Sequence, residues 1–137
     1  MSDELLAMVK GRMTPFSKTL GIEIVSVEPD AVVAEMPVRK DLCTFPDILH
    51  GGAVMALADN LGAVGTVVNL PPNTTTTTIE SKTNFLAAVP MGQKAIARCV
   101  PLHRGKTTMV WQTTISREDG RVAAIVTQTQ LVLAMKG

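Results

Sequence analysis

The stretch that decides the fold is LHGGAVMALADNLGAVGTVVNL, Leu49 to Leu70. It opens with a His and two glycines and is apolar almost throughout. Between Ala53 and Val68 the polar side chains are Asp59, Asn60 and Thr66. Ala, Leu and Met favour helix in its first half. Gly62 and Gly65 weaken the second half, and the LPPN that follows stops it. The spacing predicts a helix from Gly51 to about Val68. A surface helix shows a polar stripe; a helix without one must be covered on most sides. One antiparallel sheet curled around it meets most of that need. The sheet's far face, or a second copy of the chain, completes the burial.

Outward from this helix the pattern changes. SDELLAMVKGR, Ser2 to Arg12, reads as a short helix that Ser2 caps, with acids in its first turn and Gly11 at its end. TLGIEIVSVEPDAVVAEMPV reads as two strands about the Pro29-Asp30 turn pair. Lys40 to Leu49 is a loop holding Cys43, Thr44, Pro46 and Asp47. After the helix come TTTTTIESKTNFL, QKAIARCVPL, TTMVWQTTIS and RVAAIVTQTQLVLAM. These are β-branched or alternating segments joined by VPMGQ, HRGK and EDGR. Ala95, Ala97 and Cys99 share one strand face, as do Met109, Trp111 and Ile115. The expectation is an α+β fold, one domain over 1–137, with a long central helix wrapped by a curved antiparallel sheet. Its last four strands are expected to run as a meander.

The totals exclude several function classes. Of 137 residues, 46% are hydrophobic and 18% charged, which suits a packed core. A net charge of +1 supplies no electrostatic footprint for nucleic acid or an anionic membrane. Three Phe, one Trp and no Tyr leave few stacking platforms for single-stranded nucleic acid. Cys43 and Cys99 make no metal-ligand spacing and read as reduced thiols. The N-terminus lacks the pattern of a signal peptide, and the apolar run around Asp59 is too short and too polar to span a bilayer. A cytoplasmic protein is expected.

The glycines and the lone carboxylate raise the functional question. The first turn of a helix leaves amides unpaired at its positive end. Without side chains at Gly51 and Gly52, a ligand oxygen can come close to those amides. That suits a carbonyl oxygen that gains charge during reaction. Asp59 stands eight residues further on, about 12 Å along a helix axis. If the two groups share a site, they must come from two chains, with antiparallel helices about a twofold axis. Other readings stand beside this one. The glycines relieve crowding where helix meets sheet, Asp59 caps a second short helix from Asn60, and His50 is satisfied at the loop-to-helix junction.

His50-Gly51-Gly52 with Asp59 nine residues after the His resembles the hotdog-fold thioesterases. The likeness is to the branch with the phenylacetyl-CoA and 4-hydroxybenzoyl-CoA thioesterases. It extends from GIEIVSVEPDAVVAEMPV through TIESKTNFLAAVP to the final strand. The resemblance implies acyl-CoA or aryl-CoA thioester hydrolysis by a homodimer, or by a tetramer of two dimers, with no cofactor and no metal. It implies that Asp59 is the catalytic carboxylate, acting as general base or nucleophile. Gly51 supplies the amide that polarises the thioester carbonyl. His50 lines the site and holds its neighbours, and Thr78 orients the attacking water. Thr44 stands where the family commonly has Asn or Gln, a departure in reach and chemistry. Gly52 and Asn84 are candidate substrate contacts, Asn84 and Phe85 where an acyl tunnel would run, although Phe85 reads first as a core residue. Arg104 and Lys106 are candidates for the CoA phosphates, the other reading being a solvated polar turn.

Two rivals remain at this level. Thr44 favours a non-catalytic binding protein of the same fold for acyl-CoA or acyl-carrier thioesters. A dehydratase or isomerase of that fold uses His with a carboxylate in another arrangement, so the HGG start counts against it.

Overall fold

The computed structural model describes residues 2–136. Two short helices lead, α1 (Ser2–Lys10) and α2 (Pro15–Leu20). Ser2, expected to cap the first helix, lies within it. β1 (Glu23–Glu28) and β2 (Ala31–Pro37) follow, then a short 3-10 turn at Lys40–Leu42. A two-residue ribbon, β3 (Cys43–Thr44) and β4 (Ile48–Leu49), leads into the long helix α3 (Gly51–Val67). β5 (Thr74–Phe85), β6 (Lys94–Arg104), β7 (Thr108–Ser116) and β8 (Val122–Ala134) close the chain.

α2 falls where strand was expected from Thr19. Its signals are local: the Thr14 hydroxyl accepts from the Ser17 amide, Pro15 begins the helix, and Gly21 ends it at φ 77°. The expected Lys40–Leu49 loop is drawn together by the β3–β4 ribbon. It is tied to the β5–β6 connection by Leu49 N–H to the Val89 carbonyl and Met91 N–H to the Asp47 carbonyl, at 2.9 and 3.0 Å. These bonds set where α3 begins.

The large sheet has the order β1-β2-β6-β7-β8-β5 and is antiparallel throughout. The meander expected of the last four strands holds only for β6, β7 and β8. β5 pairs with β8 at the edge. The reason is the length of the joint. Residues 86–93 separate β5 from β6, and eight extended residues reach about 26 Å. Three strand spacings need only about 14 Å, so the chain passes the sheet's end and re-enters beside β2.

α3 packs against β2, β5, β6, β7 and β8. Leu57, Ala58 and Leu61 are fully buried against Ala95, Ala97, Cys99, Trp111 and Ile115. Gly62 and Gly65 do not break the helix; they are its points of closest approach to the sheet. A Cβ at Gly65 would stand 2.9 Å from the Trp111 ring, and one at Gly62 would meet the Gln128 amide at 2.2 Å. Burial pushes the Cys99 thiol up to about 11, and both cysteines are unbridged. One side of α3 stays uncovered, with Gly52, Met55, Asp59 and Val67 exposed along it.

Candidate active site

His50 is the N-cap of α3, with extended backbone at φ −63° and ψ 138°. Its Nδ1 accepts the Gly52 amide at 2.8 Å. An accepting Nδ1 leaves the neutral ring's proton on Nε2. The Ala53 and Val54 amides go to the His50 carbonyl at 2.9 and 3.1 Å. Within this turn the Gly51 amide has no partner among the described residues. Gly52, read from the sequence as open to a ligand, has its N–H taken by the imidazole. His50 lines a shallow groove with Leu42, Cys43 and Gly52, separate from the cleft that holds Gly51. Its geometry is that of a helix cap.

That cleft encloses about 410 Å³ between the start of α3, the β3–β4 ribbon and the end of β5. Thr44, Gly51, Val54, Phe85 and Val89 are among its walls. Thr44 and Gly51 are thus brought together, across the tight turn in which the Asp47 amide bonds the Thr44 carbonyl at 2.9 Å. The half-exposed Phe85 ring lies over Gly51, where a Cβ would meet it at 3.2 Å.

Asp59 sits in the middle of an unbroken helix, so it caps no second one. Its carboxylate is exposed in the single chain. The Thr78 hydroxyl of β5 donates to Asp59 Oδ1 at 3.1 Å. Gln130 Nε2 donates in turn to the Thr78 hydroxyl at 2.7 Å, and the Thr76 hydroxyl donates to Gln130 Oε1 at 2.9 Å. A β-bulge makes the Asp59 contact possible. Thr78 pairs with Gln130 and Glu80 with Thr129, leaving Ile79 unpaired between them. Strand side chains alternate faces, and one extra residue reverses the alternation beyond it. Phe85, Thr83 and Ser81 lie opposite Ala124, Val126 and Gln128; past the bulge, Thr78 lies opposite Gln130. Those four β8 partners are buried, so the bulge turns Thr78 back toward α3.

The remaining candidates lie apart from this cluster. Asn84, between Thr83 and Phe85, alternates onto the sheet face away from α3 and is exposed. Arg104 Nη1 donates to the Pro29 carbonyl at 3.2 Å and to Asn69 Oδ1 at 3.4 Å. It clamps the β1–β2 turn to the far end of α3, roughly 25 Å along the helix from Gly51. Lys106 is exposed in the β6–β7 turn. Within one chain neither reaches the Gly51 cleft. Gln130 and Thr76 are absent from the sequence-level candidates. The available signal was polar residues in TQTQL at the inward parity of β8, in step with Ala124 and Val126.

The sequence profile of the thioesterase superfamily matches residues 47–124, more than half of the chain. The chain belongs to the thioesterase superfamily. It is 32% identical over 108 residues to a 1,4-dihydroxy-2-naphthoyl-CoA hydrolase of Listeria monocytogenes, covering 79% of this chain and 87% of that one. The crystal structure of thioesterase HI1161 from Haemophilus influenzae has a TM-score of 0.86 at 27% identity, covering 100% of this chain and 93% of that one. The PaaI protein of the Escherichia coli phenylacetic acid degradation operon is similar in fold, with a TM-score of 0.86 at 22% identity over 99% and 96% of the two chains. The hotdog fold implied by the resemblance is the fold of this thioesterase-family hydrolase. The thioesterase-superfamily match begins at Asp47 and takes in Gly51, Asp59 and Thr78.

Proposed function

We propose that the protein hydrolyses acyl-CoA or aryl-CoA thioesters to the free acid and CoA, in a cleft completed by a second copy of the chain. The observation that carries this reading is the Asp59–Thr78 pair on the uncovered side of α3. It sits about 12 Å along the same helix from the unpartnered Gly51 amide. That separation is too long for both to act on one carbonyl from a single chain. Two copies joined along their β5 edges, about a twofold axis near Ser81 and Lys82, remove the gap. Phe85 lies over Gly51 and Thr78 bonds Asp59. An axis midway between them sets Phe85 of one copy opposite Thr78 of the other, and so Gly51 beside Asp59 of a second copy. The uncovered β5 edge and the exposed Met55, Val67 and Ile79 support this pairing.

The chemistry follows from the bonds already made. The Thr78 hydroxyl gives its one proton to Asp59 and one lone pair to Gln130. One lone pair is left to accept a proton from water. A water between Thr78 and the free Asp59 oxygen has both protons held, and its own lone pair is aimed at the carbonyl carbon. As its oxygen bonds that carbon, one proton passes to Asp59, and the carbonyl oxygen takes the negative charge at the Gly51 amide. Collapse expels the CoA sulfur, which leaves with the proton from Asp59. A thioester has a good leaving group, so one base and one polarising amide suffice without a triad.

Thr44 in the same cleft as Gly51 supports a second reading, thioester binding without cleavage. The experiment that separates the two is thiol release from a panel of acyl-CoA and aryl-CoA substrates. Asp59→Asn is expected to lower the rate by about 10²-fold or more, the range of a positioned general base, with the circular dichroism spectrum unchanged. Equal trace rates in wild type and Asp59→Asn across the panel would select the binding reading.

A further inference from the structure

We infer that Gln130 is a positioning residue for this site: through a one-way chain of hydrogen bonds, Thr76 to Gln130 to Thr78 to Asp59, it commits the Thr78 hydroxyl proton to the carboxylate. The inference rests on the hydrolytic reading above. Gln130 is 1% exposed, and its side chain lies beneath the exposed Thr78. Both ends of its carboxamide are engaged, Oε1 by Thr76 and Nε2 by Thr78. The neighbouring inward Gln128 is also buried, yet neither end of its amide has a partner among the described residues. Burial alone therefore does not account for the bonding of Gln130.

The direction of the chain follows from the charge at its end. An ionised carboxylate can only accept, so the Thr78 proton must point at Asp59. The hydroxyl then presents only lone pairs to Gln130, which must answer with its NH2 group. That orientation turns Oε1 toward Thr76, whose hydroxyl supplies the last donor. With the amide reversed, Oε1 would compete with Asp59 for the single Thr78 proton, and two acceptors would face each other. Successive donation also polarises each hydroxyl and strengthens the bond at the carboxylate end. The Ile79 bulge serves the same end, since it brings Thr78 opposite Gln130. Gln130 thus sets the Asp59 carboxylate and leaves one defined Thr78 lone pair for water, without touching either reactant.

The test uses the full chain, an acyl-CoA from the panel that wild type cleaves, and five variants. Gln130→Leu keeps the volume and removes both bonds. It is expected to lower kcat about tenfold with KM unchanged, in line with the loss of two neutral hydrogen bonds. In a Thr78→Ala background the same change is expected to have no further effect, because the chain is already cut. Thr76→Val, on the half-buried end of the chain, is expected to lower kcat by about threefold, and Thr76→Ser to restore it. The Thr76 pair carries the test should Gln130→Leu fail to fold. A wild-type kcat in Gln130→Leu, an equal fold-loss with and without Thr78, a rise in KM alone, or no difference between Thr76→Val and Thr76→Ser overturns the inference. If these follow while Asp59→Asn is inactive, only the role of Gln130 falls; if Asp59→Asn keeps the wild-type rate, the hydrolytic reading falls with it.

Discussion

At Gly51 the backbone, not a side chain, is the proposed reactive group, and proline is the residue that removes its N–H. Gly51 is the first residue of α3, where proline is well accepted because that amide takes no intrahelical bond. The preceding His50 already has the extended backbone that proline asks of its neighbour. Gly51→Pro therefore deletes one N–H and keeps the helix start, while its ring displaces the half-exposed Phe85 side chain, which an added Cβ would meet at 3.2 Å. A fall in kcat of about 10²-fold is expected, the usual loss for one oxyanion donor, with the melting temperature within a few degrees of wild type. A wild-type kcat would remove Gly51 from the mechanism. The same turn explains why His50 was harder to read. Its Nδ1 completes the helix start by accepting from Gly52, and a His before two glycines gives no sign of which ring nitrogen is engaged.

At the scale of elements, α3 could be read from its composition because its apolar character demands cover on nearly every side. Its glycines were read as weak points, whereas Gly65 is where the helix backbone meets the Trp111 ring. Trp111 is fully buried and has nowhere to move. Gly65→Ala gains about 1 kcal/mol of helix propensity but overpacks the contact by about 1–3 kcal/mol. A net loss of roughly 1 kcal/mol is expected in urea unfolding, and a gain would show that the contact is loose. The β6–β8 hairpins were legible from HRGK and EDGR, and the inward faces of β6 and β7 from their alternation. Two features were not. Five consecutive threonines present the same side chain at every step, so neither the register of β5 nor the bulge at Ile79 is encoded in their pattern. The edge position of β5 depends on the length and path of residues 86–93, which hydrophobic periodicity does not report. α2 was legible in principle, since Thr14, Pro15 and Gly21 are all helix-end signals.

For the whole molecule, one chain leaves three things unfinished: an uncovered stripe of α3, a free β5 edge, and an amide and a carboxylate too far apart to cooperate. The proposed twofold pairing along β5 would complete all three at once. The most direct test is complementation between two inactive variants, Asp59→Asn and Gly51→Pro, mixed under conditions that exchange subunits. Each mixed dimer then holds one site with both groups intact and one with neither. Random exchange makes half the dimers mixed, so about a quarter of the wild-type activity is expected to return. A mixture no more active than its components, with exchange verified by mass spectrometry, would contradict a site shared between two chains.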